Sequence, residues 1–270
     1  MILVKIMVIT ALLLAGLTAV QLIILGAIGG IGPLKFLAHN RMSKHPGNAN
    51  VYHPENIKPL ETSPLEGKRF LFLGSSVTNG SASLEVSMAD YISILDRCEV
   101  LKEAANGTTI ADKNRFSYLS RLKKINTGQH FDAVICQLST NDAAQKVEVG
   151  VVTHSKETNG FDVFTVAGAL EAIIAYVYET WHCPVFIYTG VQYNSEKYQA
   201  MVDILPTLKE KWDIFIVDLW NDKSMQEISE EERCLFLNDD VHPTQAGYLS
   251  WWVPKFQKAL YAYFSEKTEN

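Results

Sequence analysis

Two stretches of this chain carry side chains that together could transfer an acyl group. Gly74-Ser75-Ser76-Val77-Thr78-Asn79-Gly80 sets two adjacent hydroxyls among small residues, and Asn238-Asp239-Asp240-Val241-His242-Pro243-Thr244 sets an Asp three residues before a His. A serine hydroxyl is too weak an acid to attack an ester unaided, and a neighbouring imidazole that removes its proton overcomes this. A carboxylate on the far ring nitrogen fixes the tautomer that the imidazole needs. On a loop stiffened by Pro243, Asp239 can fold back onto one nitrogen of His242 and leave the other facing solvent. Each stretch also has a plainer reading, the first as a Ser/Gly turn and the second as the acidic start of a helix. A phosphate loop is excluded, because no Gly-Lys-Ser/Thr follows Gly74.

Two more stretches could complete the chemistry. Ala105-Asn106-Gly107-Thr108-Thr109 offers a glycine amide, and Leu138-Ser139-Thr140-Asn141-Asp142 offers an Asn side-chain amide. Donors of these kinds can stabilise an oxyanion, the contribution that is usually largest in acyl transfer. Either stretch alone is an ordinary turn or helix cap.

These groups can meet only if the elements around them converge. Four short apolar runs, Phe70 to Leu73, Ala133 to Leu138, Val185 to Tyr188 and Ile214 to Leu219, read as strands covered on both faces, with a weaker fifth around Cys98 to Leu101. Between them, Val166, Ala169, Leu170, Ile173, Ile174, Val177 and Trp181 recur at spacings of three and four and predict an amphipathic helix. A final helix carries Leu249, Trp252, Val253, Phe256, Leu260 and Phe264 on its core face, with Thr244 as its cap and a kink expected at Pro254. Alternating strands and helices predict an α/β fold, a three-layer α/β/α sandwich with a parallel, flavodoxin-like sheet. In such sheets ligands bind beyond the carboxyl ends of the strands, where all four stretches fall.

Ahead of this domain, Ile6 to Leu34 contains no charged residue and only Thr10, Thr18 and Gln21 as polar interruptions. A bilayer-spanning helix needs about 20 apolar residues, so residues 1–39 are expected to be an uncleaved N-terminal transmembrane anchor. Residues 40–66, polar and punctuated by Pro46, Pro54, Pro59 and Pro64, read as a linker to a domain over 67–270. The flanking charges, Lys5 before the run and Lys35, Arg41 and Lys44 after it, lean toward a cytoplasmic domain. A net charge of −6 without a basic cluster argues against nucleic acid as a partner. The four cysteines show no zinc spacing, and Cys136 and Cys183 fall too far apart along parallel strands to bridge, so free thiols are expected.

Taken together, the four stretches resemble the SGNH/GDSL hydrolases, whose conserved Ser, Gly, Asn and His come from separate blocks in that chain order. The resemblance spans Lys68 to about Tyr263. It implies Ser76 as nucleophile, His242 as general base, Asp239 as its orienting partner, and the Ser76 amide, Gly107 and Asn141 as the oxyanion hole. Asp240, adjacent to the histidine, is the weaker triad candidate. Two positions depart from the family pattern: Ser75 replaces the Asp of Gly-Asp-Ser, which leaves Ser75 open as an alternative nucleophile, and Ser139 replaces the Gly of Gly-x-Asn-Asp.

The family's habit implies a serine esterase acting through an acyl-serine intermediate, without metal or organic cofactor. The expected substrate is a short, acetyl-like ester on a carbohydrate or small molecule. The polar stretch Lys146 to Gly160 is expected to shape the pocket, with Tyr193 and Asn194 as substrate contacts. The apolar N-terminal run implies a single-pass protein of the cell membrane, and the resemblance alone favours an extracytoplasmic domain over the cytoplasmic one toward which the flanking charges lean. Acyl transfer on the same scaffold, or a non-catalytic membrane-anchored binding protein, are the alternatives it leaves open.

Overall fold

The computed structural model describes residues 2–27 and 35–266. Five parallel strands form one sheet: β1 (Arg69–Gly74), β2 (Glu99–Ala104), β3 (Ala133–Gln137), β4 (Val185–Tyr188) and β5 (Phe215–Val217), in the order β2-β1-β3-β4-β5. This is the expected flavodoxin-like order, with the chain reversing direction across the sheet between β1 and β3. Strand β1 pairs on both sides, Leu71 standing opposite Leu101 and Val134.

Successive side chains of a strand point to opposite faces, and the core is divided accordingly. Leu71, Leu73, Val134, Cys136, Val185 and Ile187 pack into one cluster. Phe70, Phe72, Ala133, Ile135, Phe186 and Tyr188 pack into the other. Apart from Arg69 at the start of β1 and Gln137 at the end of β3, the side chains of the central strands are apolar because both faces are covered. Edge strand β2 carries Glu99, Lys102 and Glu103 and extends to Ala104, three residues past its weak apolar run. Strand β5 is shorter than its apolar run. Beyond Val217 the chain leaves the ladder, and the Leu219 and Trp220 amides donate to Thr189 Oγ1 instead, each at 2.9 Å.

The helices are α1 (Ile2–Ala27), α2 (Lys35–Met42), α3 (Ser76–Asn79), α4 (Met88–Asp96), α5 (Tyr118–Leu122), α6 (Thr140–Ala144), α7 (Val166–Trp181), α8 (Glu196–Val202), α9 (Leu205–Trp212), α10 (Glu230–Phe236), α11 (Gln245–Gly247) and α12 (Val253–Glu266). Helix α7 has the bounds its apolar periodicity predicts and starts at Thr165, whose side chain accepts from the Gly168 amide. At Pro254 the C-terminal helical segment is irregular: a π-helical turn over Tyr248–Trp252 runs directly into α12, of which Pro254 is the second residue, and such a turn is one way a helix takes in a residue without an amide hydrogen.

The stretch 40–66 is not a free tether. Three successive 3₁₀ turns, Pro46–Asn48, Asn50–Tyr52 and Pro54–Asn56, lay it on the domain. Tyr91 donates to the Tyr52 carbonyl at 2.6 Å, and Met42, Asn48 and Leu65 are buried. The prolines that suggest a linker instead open two of these turns, a position suited to a residue with fixed φ and no amide hydrogen.

In α1, Leu12, Leu13 and Leu17 are more than half exposed. Among the described residues no helix is long and apolar enough to cross a membrane. Residues 28–34 of the expected spanning run lie outside the described residues, so the fold does not establish an anchor.

Candidate active site

Ser76 opens α3 immediately after β1, so the chain turns sharply from sheet to helix at Gly74-Ser75. The turn needs glycine first, since a Cβ on Gly74 would stand 1.6 Å from Thr78 Oγ1. The loop after α10 brings up the partner. Its base is a short antiparallel bridge between Leu237 and Pro243, closed by the Asn238 amide donating to the His242 carbonyl at 3.0 Å. Thr244 ends the loop as the cap of α11, accepting from the Gly247 amide at 3.2 Å.

Across this junction Ser76 Oγ lies 2.8 Å from His242 Nε2. On the other side of the ring, Nδ1 stands 2.9 Å from Asp239 Oδ1 and 3.0 Å from Oδ2. With the proton on Nδ1 donated to the carboxylate, Nε2 presents a lone pair to the serine hydroxyl. The same carboxylate accepts the backbone amides of Val241 and His242, each at 2.9 Å, so the loop folds around Asp239. Partial burial works against a charge there, but the hydrogen bond and charge of His242 and the two amides outweigh it and hold the Asp239 carboxyl well below the ordinary carboxylate range. Ser75 is turned the other way: it is fully buried, and its hydroxyl donates to Gln137 Oε1 at 3.2 Å.

The loops carrying Gly107 and Asn141 are tied to each other. Asn141 Nδ2 donates to the Thr108 carbonyl at 3.0 Å, and Ser139 Oγ to the same oxygen at 3.2 Å. Asp142, fully buried, accepts the amides of Ile110 at 2.8 Å and Ala111 at 3.1 Å. Burial raises its pKa, and those two amides partly offset the rise. Gly107 has a φ of +76° and open space where a side chain would be, so its backbone is left accessible. One Asn141 amide hydrogen is committed to Thr108 and the second is free to serve an oxyanion.

Tyr193 and Asn194 line a cleft after β4 together with Gln199 and Trp220. The stretch Lys146 to Gly160 is held at Thr153, whose amide donates to Glu171 Oε2 at 2.9 Å and whose carbonyl accepts from Lys211 Nζ at 2.9 Å. Glu171 is fully buried, and Lys211 pairs with it.

Three further residues hold the site and belong to none of the four motifs. Gln137, 1 % exposed at the end of β3, accepts the Ser75 amide and the Thr78 hydroxyl through Oε1, both at 2.8 Å. Arg121, 7 % exposed, spreads its guanidinium over the Gly74 carbonyl at 2.7 Å, the Glu103 carbonyl at 2.8 Å and the Glu103 carboxylate at 2.9 Å, and reaches Thr108 Oγ1 at 3.3 Å. It thereby joins the loops after β1 and β2. Asn48, 2 % exposed, donates to the Ala82 carbonyl at 2.8 Å and accepts the Gln245 amide at 2.9 Å. A polar residue inside an otherwise apolar strand run was the available signal for Gln137. Nothing local marks Arg121 or Asn48, since each acts across distant segments.

A parallel α/β sheet with a serine, an imidazole and a carboxylate in hydrogen-bonded series at its carboxyl edge defines a hydrolase-type site. Residues 72–249 match the GDSL-like lipase/acylhydrolase family, and the chain belongs to that family; it is an ester-bond hydrolase. Compared with curated protein sequences, it gives no match. Among solved structures it resembles a protein from Lactobacillus plantarum, at 17 % identity and a TM-score of 0.57 over 74 % of this chain and 98 % of that one. It also resembles the acetyl xylan esterase AlAXEase, at 17 % identity and a TM-score of 0.51 over 71 % and 99 %. A third is a family two carbohydrate esterase from Clostridium thermocellum in complex with cellohexaose, at 13 % identity and a TM-score of 0.50 over 79 % and 66 %. At these identities the likeness is one of fold.

Proposed function

We propose that the chain is a serine esterase that removes short, acetyl-like acyl groups from a carbohydrate or small-molecule ester through an acyl-serine intermediate. The observation that carries this reading is the 2.8 Å approach of Ser76 Oγ to His242 Nε2, with Asp239 behind the ring. His242 takes the hydroxyl proton as Oγ bonds to the ester carbon. The negative charge that forms on the carbonyl oxygen is met by the Ser76 amide, the Gly107 amide and Asn141 Nδ2. The intermediate collapses, the C–O bond to the alcohol breaks, and His242 returns the proton to the leaving oxygen. Water then attacks the acyl-serine with His242 again as base, releasing the acid and restoring the serine.

A carbohydrate ester is favoured by the two carbohydrate esterases among the structural relatives and by the polar loops at the sheet edge. Ser76→Ala should abolish turnover of p-nitrophenyl acetate and labelling by a fluorophosphonate probe while leaving the unfolding transition in place. Full retained activity would exclude the assignment. The same reading has the apolar N-terminal run anchor the protein in the cell membrane with the domain extracytoplasmic. Recovery of the full chain in the soluble fraction of lysed cells, or resistance of the domain to protease added outside intact cells, would exclude that part.

A further inference from the structure

Ser76 opens a helix of only four residues, Ser76–Asn79. A single turn has little stability of its own, because fixing its backbone costs more than its few hydrogen bonds return. What keeps the nucleophile in place must come from outside the turn, and four buried side chains supply it. Arg121 donates to the Gly74 carbonyl, and Gln137 accepts from the Ser75 amide and the Thr78 hydroxyl. Tyr188, fully buried at the end of β4, stands 2.5 Å from Thr78 Oγ1, and since the one Thr78 hydroxyl hydrogen goes to Gln137, Tyr188 is the donor. Tyr248, 1 % exposed, donates its hydroxyl hydrogen to the Val77 carbonyl at 2.5 Å. Among these four, Tyr248 alone comes from the segment that carries His242, six residues further along the chain.

We propose that Tyr248 is a positioning residue that sets the separation between Ser76 and His242, an inference that rests on the ester-hydrolase reading. Its hydroxyl ties the backbone next to the nucleophile directly to the segment that follows the base. Val77 adjoins Ser76, so its carbonyl cannot shift without turning the peptide that leads out of the nucleophile. The two reacting groups, 2.8 Å apart, otherwise belong to loops separated by 166 residues of chain. A displacement of about 1 Å between reacting groups can cost roughly a hundredfold in rate, so a tie at this point has leverage on the chemistry.

The far end of the tie is itself held. The Tyr248 amide donates to the Thr244 carbonyl at 2.9 Å, and Thr244 Oγ1 donates to the Leu235 carbonyl at 2.7 Å. Gly247 leaves no slack, since a Cβ there would stand 2.2 Å from the Phe236 carbonyl. The Tyr248 ring packs edge-on against Trp252, with centroids 5.6 Å apart. Burial, and after it the charges of Asp90 and Asp239, push the phenol well above the ordinary tyrosine range, so it remains a protonated donor at neutral pH.

The test compares wild type, Tyr248→Phe and Tyr188→Phe as full chains, by p-nitrophenyl acetate kinetics and by the rate of fluorophosphonate labelling of Ser76, each measured well below the unfolding midpoint. Both substitutions delete one buried hydroxyl and keep the ring, so both should lower the urea midpoint. Tyr248→Phe should in addition lower kcat and the labelling rate about tenfold to a hundredfold with little change in KM, as expected when the reacting groups are misplaced. Tyr188→Phe leaves Thr78 on Gln137 and does not touch the histidine segment, so its loss in both rates should be smaller. Wild-type kcat and labelling in folded Tyr248→Phe, a change in KM alone, or equal losses in the two variants would overturn the proposal and leave Tyr248 a core residue. Should Tyr248→Phe fail to fold, the crystal structure of wild type labelled at Ser76 decides: the Tyr248 hydroxyl should still sit on the Val77 carbonyl, and a hydroxyl that has left it overturns the tie. If wild type neither labels nor hydrolyses the ester, the ester-hydrolase reading fails and the role of Tyr248 falls with it.

Discussion

Asn48 Oδ1 accepts the backbone amide of Gln245 at 2.9 Å across 197 residues of sequence, while Asn48 Nδ2 donates to the carbonyl of Ala82. One buried side chain thus bridges the segment after the nucleophile helix and the start of α11, which follows the histidine loop. Gly47 beside it packs so closely that a Cβ would lie 2.0 Å from the Leu235 carbonyl. The segment before the family-matching region is therefore part of the site's frame. Removing residues 1–34 should leave p-nitrophenyl acetate turnover intact, whereas removing 1–66 should abolish it and lower the melting temperature. Asn48→Ala should cost about 1–3 kcal/mol in urea unfolding, because a buried donor and acceptor lose their partner.

Asp239 holds the His242 ring through Nδ1, and in the proposed mechanism this orients the base. Asp239→Asn should lower kcat by roughly 10²–10⁴-fold with little change in KM, since the amide disfavours the tautomer that frees Nε2. The pH dependence follows from the sign of the shift. The folded-state pKa lies below the unfolded value of about 3.9, so Asp239 contributes stability above that pH and loses it as pH falls through the folded value. The difference in melting temperature between wild type and Asp239→Asn should be level from pH 5 to 8 and shrink below about pH 4. It should also be small, because the carboxylate is 48 % exposed and solvent screens its pairing.

Arg121 holds the ends of β1 and β2 through several directed bonds at once. Arg121→Lys keeps the charge and loses the planar fork, so it should not restore function. Arg121→Met should destabilise by about 3 kcal/mol in denaturant titration, near the lower end for breaking a buried pair because Glu103 is partly exposed. Activity should fall further than unfolding explains, since the Gly74 carbonyl and the Thr108 loop lose their common support. An activity loss that tracks only the unfolded fraction would show that Arg121 has no positioning role.

Asn141 is asked to serve both the Thr108 carbonyl and a developing oxyanion. Asn141→Ala should reduce kcat by about 10²–10³-fold while Ser76 still reacts measurably with a fluorophosphonate. Steady-state kinetics beside labelling rates would check this, and unchanged kcat would remove Asn141 from the oxyanion hole.

Much of this protein is legible along the chain because the relevant physics is local. Apolar runs such as Val185 to Tyr188 announce strands covered on both faces, the three-and-four spacing from Val166 to Trp181 announces a helix, and three short motifs fall at strand ends, where such sheets bind ligands, with the fourth on the loop after α10. The Asp239–His242 spacing also foretells their contact, since three residues on one loop suffice to close it.

Tertiary structure decided what depends on distant segments meeting. It separated Ser76, which faces His242, from Ser75, which turns to Gln137, a choice that two adjacent identical side chains cannot reveal in sequence. It drew the proline-punctuated stretch 40–66 onto the domain, and it set Tyr193 and Asn194 in one cleft with Gln199 and Trp220. Sequence patterns record whether a residue is apolar and how often that recurs, and they carry the fold well. Which hydroxyl, amide or guanidinium completes a buried network depends on directional bonds between chain segments far apart in number, and only the folded backbone brings those donors and acceptors within 3 Å or so of one another.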